Sequence, residues 1–332
     1  MKMSEPTQFT AQTLRGELSF DVDMRRHTSW RAGGVAKQMY QAADLADLQR
    51  FLQQLPAAEP LMAVGLGSNL LVRDGGYKGT LLLMLGALTE LRMEGDLIYV
   101  QAGVAGAKLA RFAASNHLCG AEFFVGIPGT MGGMLAMNAG CYGSETWQKV
   151  VRVQVLTRGG ELLERTPQEY EIGYRHVALL EKREEGRGKG GEAAREGSTL
   201  LPSPFSLVQE FFVGAWLKLE AGDVEMARQD IKALMEKRSA SQPLQLPNCG
   251  SVFRNPQGNH AAKLIEGCGL KGKTIGGAQV SEKHANFIVN IGEATATDIE
   301  NLINEVQAMV LQQTGVELHP EVRIIGEHKN HG

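Results

Sequence analysis

Apolar residues along this chain fall into two rhythms, one of period two and one near 3.6, and their alternation predicts the elements. From Leu45 to Leu55 the apolar positions are 45, 48, 51, 52 and 55, the spacing of one helix face. The stretch "LMAVGLGSNLLVRDGG" then reads as a short buried strand, a glycine turn and a second strand. "TLLLML" and "LIYVQAGV" continue as strands, and "KLARFAASN" returns to the helical period. Beyond a glycine-rich block at 126–143, "VVRVQVLT", the turn "RGG" and "ELLERT" predict a hairpin, and "FSLVQEFFVGAWLKLE" resumes strand character.

"DVEMARQDIKALMEKRSA" is an amphipathic helix, after which Pro243 and Pro247 bracket a loop. The last helix is predicted over 298–313. Its N-cap is read as Thr297, with Glu300 three residues on completing a capping box. Ile299, Leu302, Ile303, Val306 and Val310 form its apolar face, Gly315 ends it, and "VELHPEVRIIG" supplies a final strand.

Two stretches cannot contribute to a core. The polar N-terminus is expected to be a loosely attached extension. Residues 181–198 hold ten charged residues and five glycines, which predicts a flexible insert. With a change of composition at 221–223, the picture is an α+β protein. Its parts are an extension 1–23, a first domain 24–222, a second domain 223–326 and a tail 327–332.

Composition narrows the function classes. A chain of 332 residues with a formal net charge of -3 and scattered basic residues gives no support for a nucleic-acid partner. The longest apolar run, "LLLMLGAL", is far too short to cross a bilayer, and the N-terminus lacks the apolar core of a signal peptide. Cys119, Cys141, Cys249 and Cys268 are widely separated, with no metal-ligand spacing. They read as free thiols in a reducing compartment, so a cytosolic protein without a metal site is expected.

Candidate chemistry lies in the glycine-rich turns. "VGLGSNLLVRDGG" fails as a dinucleotide fingerprint, because Leu70 stands where the third glycine belongs. Its turn, with Gly65, Gly67, Ser68 and Asn69, is either a plain hairpin turn or a nest of amides suited to a pyrophosphate. "GIPGTMGGMLAMNAGCYG" predicts a short helix whose N-terminus faces an anion, because so much glycine is costly unless the backbone approaches a ligand. Arg175, after Tyr174, could clamp a carboxylate. Glu321 could be a partly buried acid. Ser251, in "NCGSVFRNP", reads first as a turn serine.

In order, "TSWRAGGVAK", "GLGSNLLVRDGGYKG", "GIPGTMGGMLAMNAGCYG", "YR", "NCGSVFRNP", "AAKLIEGCGLKG", "GGAQVSEKHANFIVN" and "HPEVRIIG" closely resemble the UDP-N-acetylenolpyruvoylglucosamine reductase (UDP-N-acetylmuramate dehydrogenase) family across roughly residues 24–326. The resemblance implies an FAD-binding domain of the vanillyl-alcohol-oxidase/PCMH type followed by a C-terminal α+β substrate-binding domain. It implies non-covalent FAD, NADPH as reductant, and reduction of UDP-N-acetylglucosamine enolpyruvate to UDP-N-acetylmuramate by a bacterial, cytosolic, monomeric enzyme of peptidoglycan synthesis. Ser251 would be the proton donor, with Arg175 and Glu321 stabilising the enediolate. The cofactor would be held by Gly65, Gly67, Ser68, Asn69, Leu70, Gly126, Thr130, Gly132, Gly133, Asn138, Ala139 and Gly140. Tyr174, Arg238, Gln242 and Lys263 are the candidate substrate contacts. Family members with a tyrosine-bearing lid differ from this chain, whose tyrosines end at Tyr174, so the resemblance is to the shorter subtype. Another FAD oxidoreductase of the same cofactor fold is the alternative.

Overall fold

The computed structural model describes residues 14–180 and 210–329, so the insert expected at 181–198 lies outside the described residues. Four strands make the first sheet, ordered β1 (Glu17–Asp23), β2 (Val35–Gln41), β5 (Tyr77–Leu83) and β3 (Leu61–Val64). β1 runs antiparallel to β2, whereas β2, β5 and β3 are mutually parallel. The extension expected through residue 23 is therefore shorter, because its end pairs along β2. Leu18, Phe20 and Val22 alternate within it, a strand signal hidden by polar neighbours. Helix α1 (Leu45–Gln54) forms where the apolar spacing places it. It buries Leu48, Phe51 and Leu52, and the Asp44 carboxylate caps it by accepting from the Asp47 amide.

The second sheet has five antiparallel strands: Leu162–Arg165, Val150–Thr157, Glu210–Lys218, β7 (Leu97–Gln101) and β6 (Leu91–Glu94). The hairpin predicted around "RGG" is present. Helices α2 (Gly106–Ser115), α3 (Met131–Ala136) and α4 (Val224–Ser241) share one core with this sheet. Ala227 and Ile231 of α4 belong to that core, although the sequence reading assigned α4 to the second domain. Its exposed loop neighbours mark a change in composition, not in packing.

Beyond α4, a three-stranded sheet (Thr274–Ile275, Ala278–Val280, Ile288–Asn290) packs with α5 (Ala261–Gly267) and α6 (Ala296–Thr314). The predicted apolar face of α6 is buried, and Gly315 ends the helix at φ 72°. The cap differs. Thr295 and Asp298 form the capping box, and the helix starts two residues before the expected position. Thr297 is instead held by Asp74, which accepts from its amide at 2.8 Å and its hydroxyl at 2.6 Å. Glu300 pairs with Arg73 at 2.8 Å.

These contacts belong to a set that ties the two halves together. Strand β4 (Leu70–Val72), buried on both faces, does not form a hairpin with β3. It pairs in parallel with the closing strand Arg323–Ile325, Leu70 opposite Arg323. Trp30 is fully buried among the side chains of α5 and α6, and its indole N–H donates to the Ile288 carbonyl at 2.7 Å. The loop at 65–70 thus leaves the first sheet and enters the second half of the molecule, fixing their relative position.

Candidate active site

Between the halves lies a cleft of about 430 Å³, within the usual range of ligand sites. One wall is the 65–70 loop, another is 126–141, and the third comes from the C-terminal half through Gly250, Ser251, Glu321 and Arg323. Topology explains the meeting. β4 carries the 65–70 loop to the closing strand, and a two-residue turn between Tyr170–Gly173 and His176–Leu179 delivers Tyr174 and Arg175 from the opposite side.

Arg175 occupies the left-handed region at φ 54°, a strained conformation for a residue with a Cβ. Asn138 holds the preceding turn residue, donating to the Gly173 carbonyl at 3.1 Å. The Arg175 Nε lies 2.8 Å from Glu321 Oε1, but its buried N–H is not aligned on the oxygen. The contact is therefore Coulombic, leaving directional donors and acceptors for a ligand. Burial pushes the Glu321 carboxyl above the ordinary glutamate range, against the pull of Arg175 and Arg254.

The segment carrying Ser251 is rigidly built. Gly250 takes φ 79° with open space where a Cβ would stand. The amide of Glu321 donates to the Val252 carbonyl at 2.7 Å, and the Arg254 amide to His319. Asn286, buried, accepts from the Phe253 amide and donates to the Phe253 carbonyl, both at 2.9 Å. Asn248 accepts from the Gly250 amide at 3.0 Å. Ser251 itself is half-buried and faces the cleft.

Of the candidate residues, Gly65, Gly67, Ser68, Asn69, Leu70, Gly126, Thr130, Gly133, Ala139, Gly140, Tyr174 and Gln242 line the same cleft as Ser251, Arg175 and Glu321. Four do not. Gly132 packs on Ala102, where a Cβ would approach within 3.0 Å. Asn138 lies beneath the cleft, tied to Glu145, Gly173 and Trp147. Arg238 turns to the Val125 carbonyl and to Gln242, so it reaches the cleft only through Gln242. Lys263 is exposed on α5 and lines no part of it. The anion site expected at the N-terminus of α3 is also corrected. The Met131 and Gly132 amides donate to Val104 and Ala102, because this six-residue helix is sewn onto the adjoining strand end.

Other features fit an anionic, flat cofactor. The Thr130 hydroxyl is buried and without a partner, and a Cβ at Gly65 would come within 2.2 Å of it. At Gly133 nothing stands within 4 Å of the same position, so the backbone opens directly on the cleft. Sequence reasoning missed Arg323 and Asn286. Arg323 follows Glu321 by two residues in an extended segment, the period that puts both on one face, and that signal was readable. Asn286 carries no such signal, because its role arises from a contact across 33 residues.

The comparisons bear on this geometry. Residues 36–166 match a family model described as an FAD binding domain. Residues 242–325 match one described as UDP-N-acetylenolpyruvoylglucosamine reductase, C-terminal domain. A UDP-N-acetylenolpyruvoylglucosamine reductase from Thiobacillus denitrificans is 51% identical over 96% of this chain and 95% of its own. One from Nitrosospira multiformis is 56% identical over 94% and 90%. The crystal structure of the Thermus caldophilus reductase superposes with a TM-score of 0.72 at 27% identity, covering 94% of this chain and 99% of that one. Fold and cleft thus define an FAD-dependent oxidoreductase, an α+β protein with an FAD-binding domain followed by a C-terminal domain. The chain belongs to the UDP-N-acetylenolpyruvoylglucosamine reductase family, whose role lies in peptidoglycan precursor synthesis.

Among the described residues no group of His, Cys, Asp and Glu is arranged to hold a metal ion, and no helix is long and apolar enough to cross a membrane. The four cysteines are free.

Proposed function

We propose that the protein reduces UDP-N-acetylglucosamine enolpyruvate to UDP-N-acetylmuramate with NADPH as reductant, acting as a cytosolic monomer. The observation that carries this reading is the Arg175–Glu321 contact at 2.8 Å in a cleft shared with Ser251. FAD, bound non-covalently against the 65–70 and 126–140 walls, supplies the hydride that adds to the methylene carbon.

Hydride addition leaves negative charge on the α-carbon and carboxylate. Arg175 supplies fixed positive charge there, and Glu321, whose neutral form burial favours, would in that form donate a hydrogen bond to the developing enediolate. Ser251 transfers its hydroxyl proton to the α-carbon, completing addition of H⁻ and H⁺ across the double bond. A serine is a weak acid, so its position must do what its pKa cannot. The ties of Asn286 and Asn248 to the backbone fix that position. Tyr174 and Gln242 are the substrate contacts retained, with Arg238 acting through Gln242. For the domains we propose a first unit ending after α4 and a second covering the rest, in keeping with the core of α4 and the span of the C-terminal match.

Ser251→Ala tests the assignment by anaerobic stopped-flow. Reduction of the flavin by NADPH should stay near the native rate, while its reoxidation by the enolpyruvyl substrate should slow ~10²-fold or more. Equal slowing of both half-reactions would reduce Ser251 to a structural role. A flavin that is reduced by a small alcohol, and that the sugar nucleotide does not reoxidise, would favour the alternative oxidoreductase.

A further inference from the structure

Arg175 sits at the tip of the hairpin Tyr170–Gly173 and His176–Leu179, whose strands pair only with each other among the described residues. No wider sheet fixes that tip. The base is anchored by side chains: the Tyr170 ring lies 5.1 Å from that of Trp147 and 5.7 Å from that of Phe212. At the tip, by contrast, Tyr174 is half exposed while Arg175 is held at φ 54°. A left-handed residue with a Cβ persists only where its surroundings over-determine it.

Asn138, buried and itself left-handed at φ 40°, supplies that constraint. Its Nδ2 donates to the Gly173 carbonyl at 3.1 Å and to Glu145 Oε2 at 2.8 Å. Its Oδ1 accepts from the Trp147 amide at 3.2 Å. Two acceptors on one side and a donor on the other permit a single orientation. A flipped amide would set Oδ1 against two oxygens and its NH2 against an N–H. Glu145 is the charged member of the set and draws Nδ2 to the hairpin side. Trp147 is in turn fixed by its indole N–H, which donates to the Leu135 carbonyl at 2.8 Å in the core. A continuous path thus runs from the core through Trp147 and Asn138 to Gly173, two residues before Arg175. The same segment meets Arg175 again, where the Gly140 carbonyl accepts from its Nη2 at 3.4 Å.

We infer that Asn138, oriented by Glu145, is a positioning residue for Arg175, holding the hairpin tip so that the guanidinium stands against Glu321. The inference deepens the reading proposed above and rests on Arg175 stabilising the enediolate there. Neither Asn138 nor Glu145 lines the cleft that holds Ser251 and Glu321, so both act through Gly173. A loosened tip lets Arg175 leave the left-handed region, and its charge then swings away from Glu321. The pair serves the oxidative half-reaction and takes no part in holding FAD.

The test is the double variant Asn138→Asp/Glu145→Gln, prepared as the holoenzyme. The introduced glutamine can donate to the introduced aspartate, which still accepts from Trp147, so the Gly173 carbonyl alone loses its donor. In anaerobic stopped-flow, reoxidation by saturating enolpyruvyl sugar nucleotide should slow ~10- to 10²-fold. Flavin reduction by NADPH and FAD affinity should stay within about threefold of native. The alkaline limb of reoxidation should move to higher pH. A displaced Arg175 no longer lowers the Glu321 pKa, leaving Arg254 and the Cys249 thiol as the groups that face it. Hydrogen exchange across 170–179, read without any substrate, should rise in the same variant. Native-like exchange would overturn the inference, and so would native-like reoxidation. Equal slowing of both half-reactions, or loss of FAD with reoxidation unchanged, would also overturn it, returning Asn138 to the fold or to the cofactor. If the aspartate variants do not fold, Glu145→Ala decides by the same readouts. Failure of the native holoenzyme to be reoxidised by the sugar nucleotide would sink the proposed function instead, and the exchange measurement would still judge the clasp.

Discussion

The side-chain amide of Asn69 donates to the main-chain carbonyl of Glu321 at 3.2 Å, across 252 residues of sequence. The Arg323 amide donates back to the Asn69 carbonyl at 3.0 Å. One residue of the cofactor loop thus grips the acid's segment through both its side chain and its backbone. On the proposed mechanism, the same asparagine would hold the cofactor wall and the acid in register.

Asn69→Ala removes the side-chain half of that grip and leaves the Glu321 carbonyl without its donor. The expected cost in stability is about 1–2 kcal/mol, read from denaturant unfolding of the apoprotein. The expected effect on chemistry is selective. Reoxidation by substrate should slow more than reduction by NADPH, because on the proposed mechanism Glu321 acts only in the former. If FAD affinity falls and the ratio of the two half-reactions stays constant, Asn69 contacts the cofactor and does not position the acid.

Gly133 and Gly65 make opposite predictions. A Cβ at Gly133 meets nothing within 4 Å and points into space on the cleft wall. Replacing glycine by alanine within α3 should also favour the helix by up to ~1 kcal/mol. Gly133→Ala should therefore raise the melting temperature of the apoprotein while weakening FAD binding, followed by flavin fluorescence. At Gly65 the added carbon would collide with the Thr130 hydroxyl at 2.2 Å, so Gly65→Ala should lower both. A Gly133→Ala protein that binds FAD as tightly as the native one would remove this wall from the cofactor site.

How much of this was readable in advance depends on the range of the interaction. The helical spacing of α1 and the buried stripe of α6 were legible, because a packed helix repeats its signal over several turns. The cap of α6 was not. Thr295 and Thr297 compete as N-caps two residues apart, and the outcome is set by Asp74, a residue 223 positions away from Thr297. The 65–70 turn likewise looked like a hairpin, since nothing local says that β4 leaves β3 for the closing strand. Within the cleft, glycines and the Tyr174-Arg175 pair announced themselves by residue type. Lys263, a candidate substrate contact under the resemblance, lies exposed on its helix and lines no part of the cleft.

The raised pKa of Glu321 gives a dependence on pH with a definite sign. Burial favours the neutral carboxyl in the folded protein, over the opposition of Arg175 and Arg254. A carboxyl whose folded pKa exceeds its unfolded value, near ~4.3, contributes stability that is fully present below that unfolded value. The contribution is lost as pH rises through the folded pKa. Glu321→Gln, which stays neutral, should therefore gain thermal stability relative to the native protein as pH increases across that window. Catalysis should follow the same titration. Reoxidation of the reduced enzyme by substrate should decline in the native protein as Glu321 ionises, whereas the slower Glu321→Gln enzyme should show no such limb. The reductive half-reaction with NADPH should share neither trend. Parallel pH profiles for the two proteins in the oxidative half-reaction would mean that the titrating group lies elsewhere, and that Arg175 stabilises the enediolate without a neutral glutamate beside it.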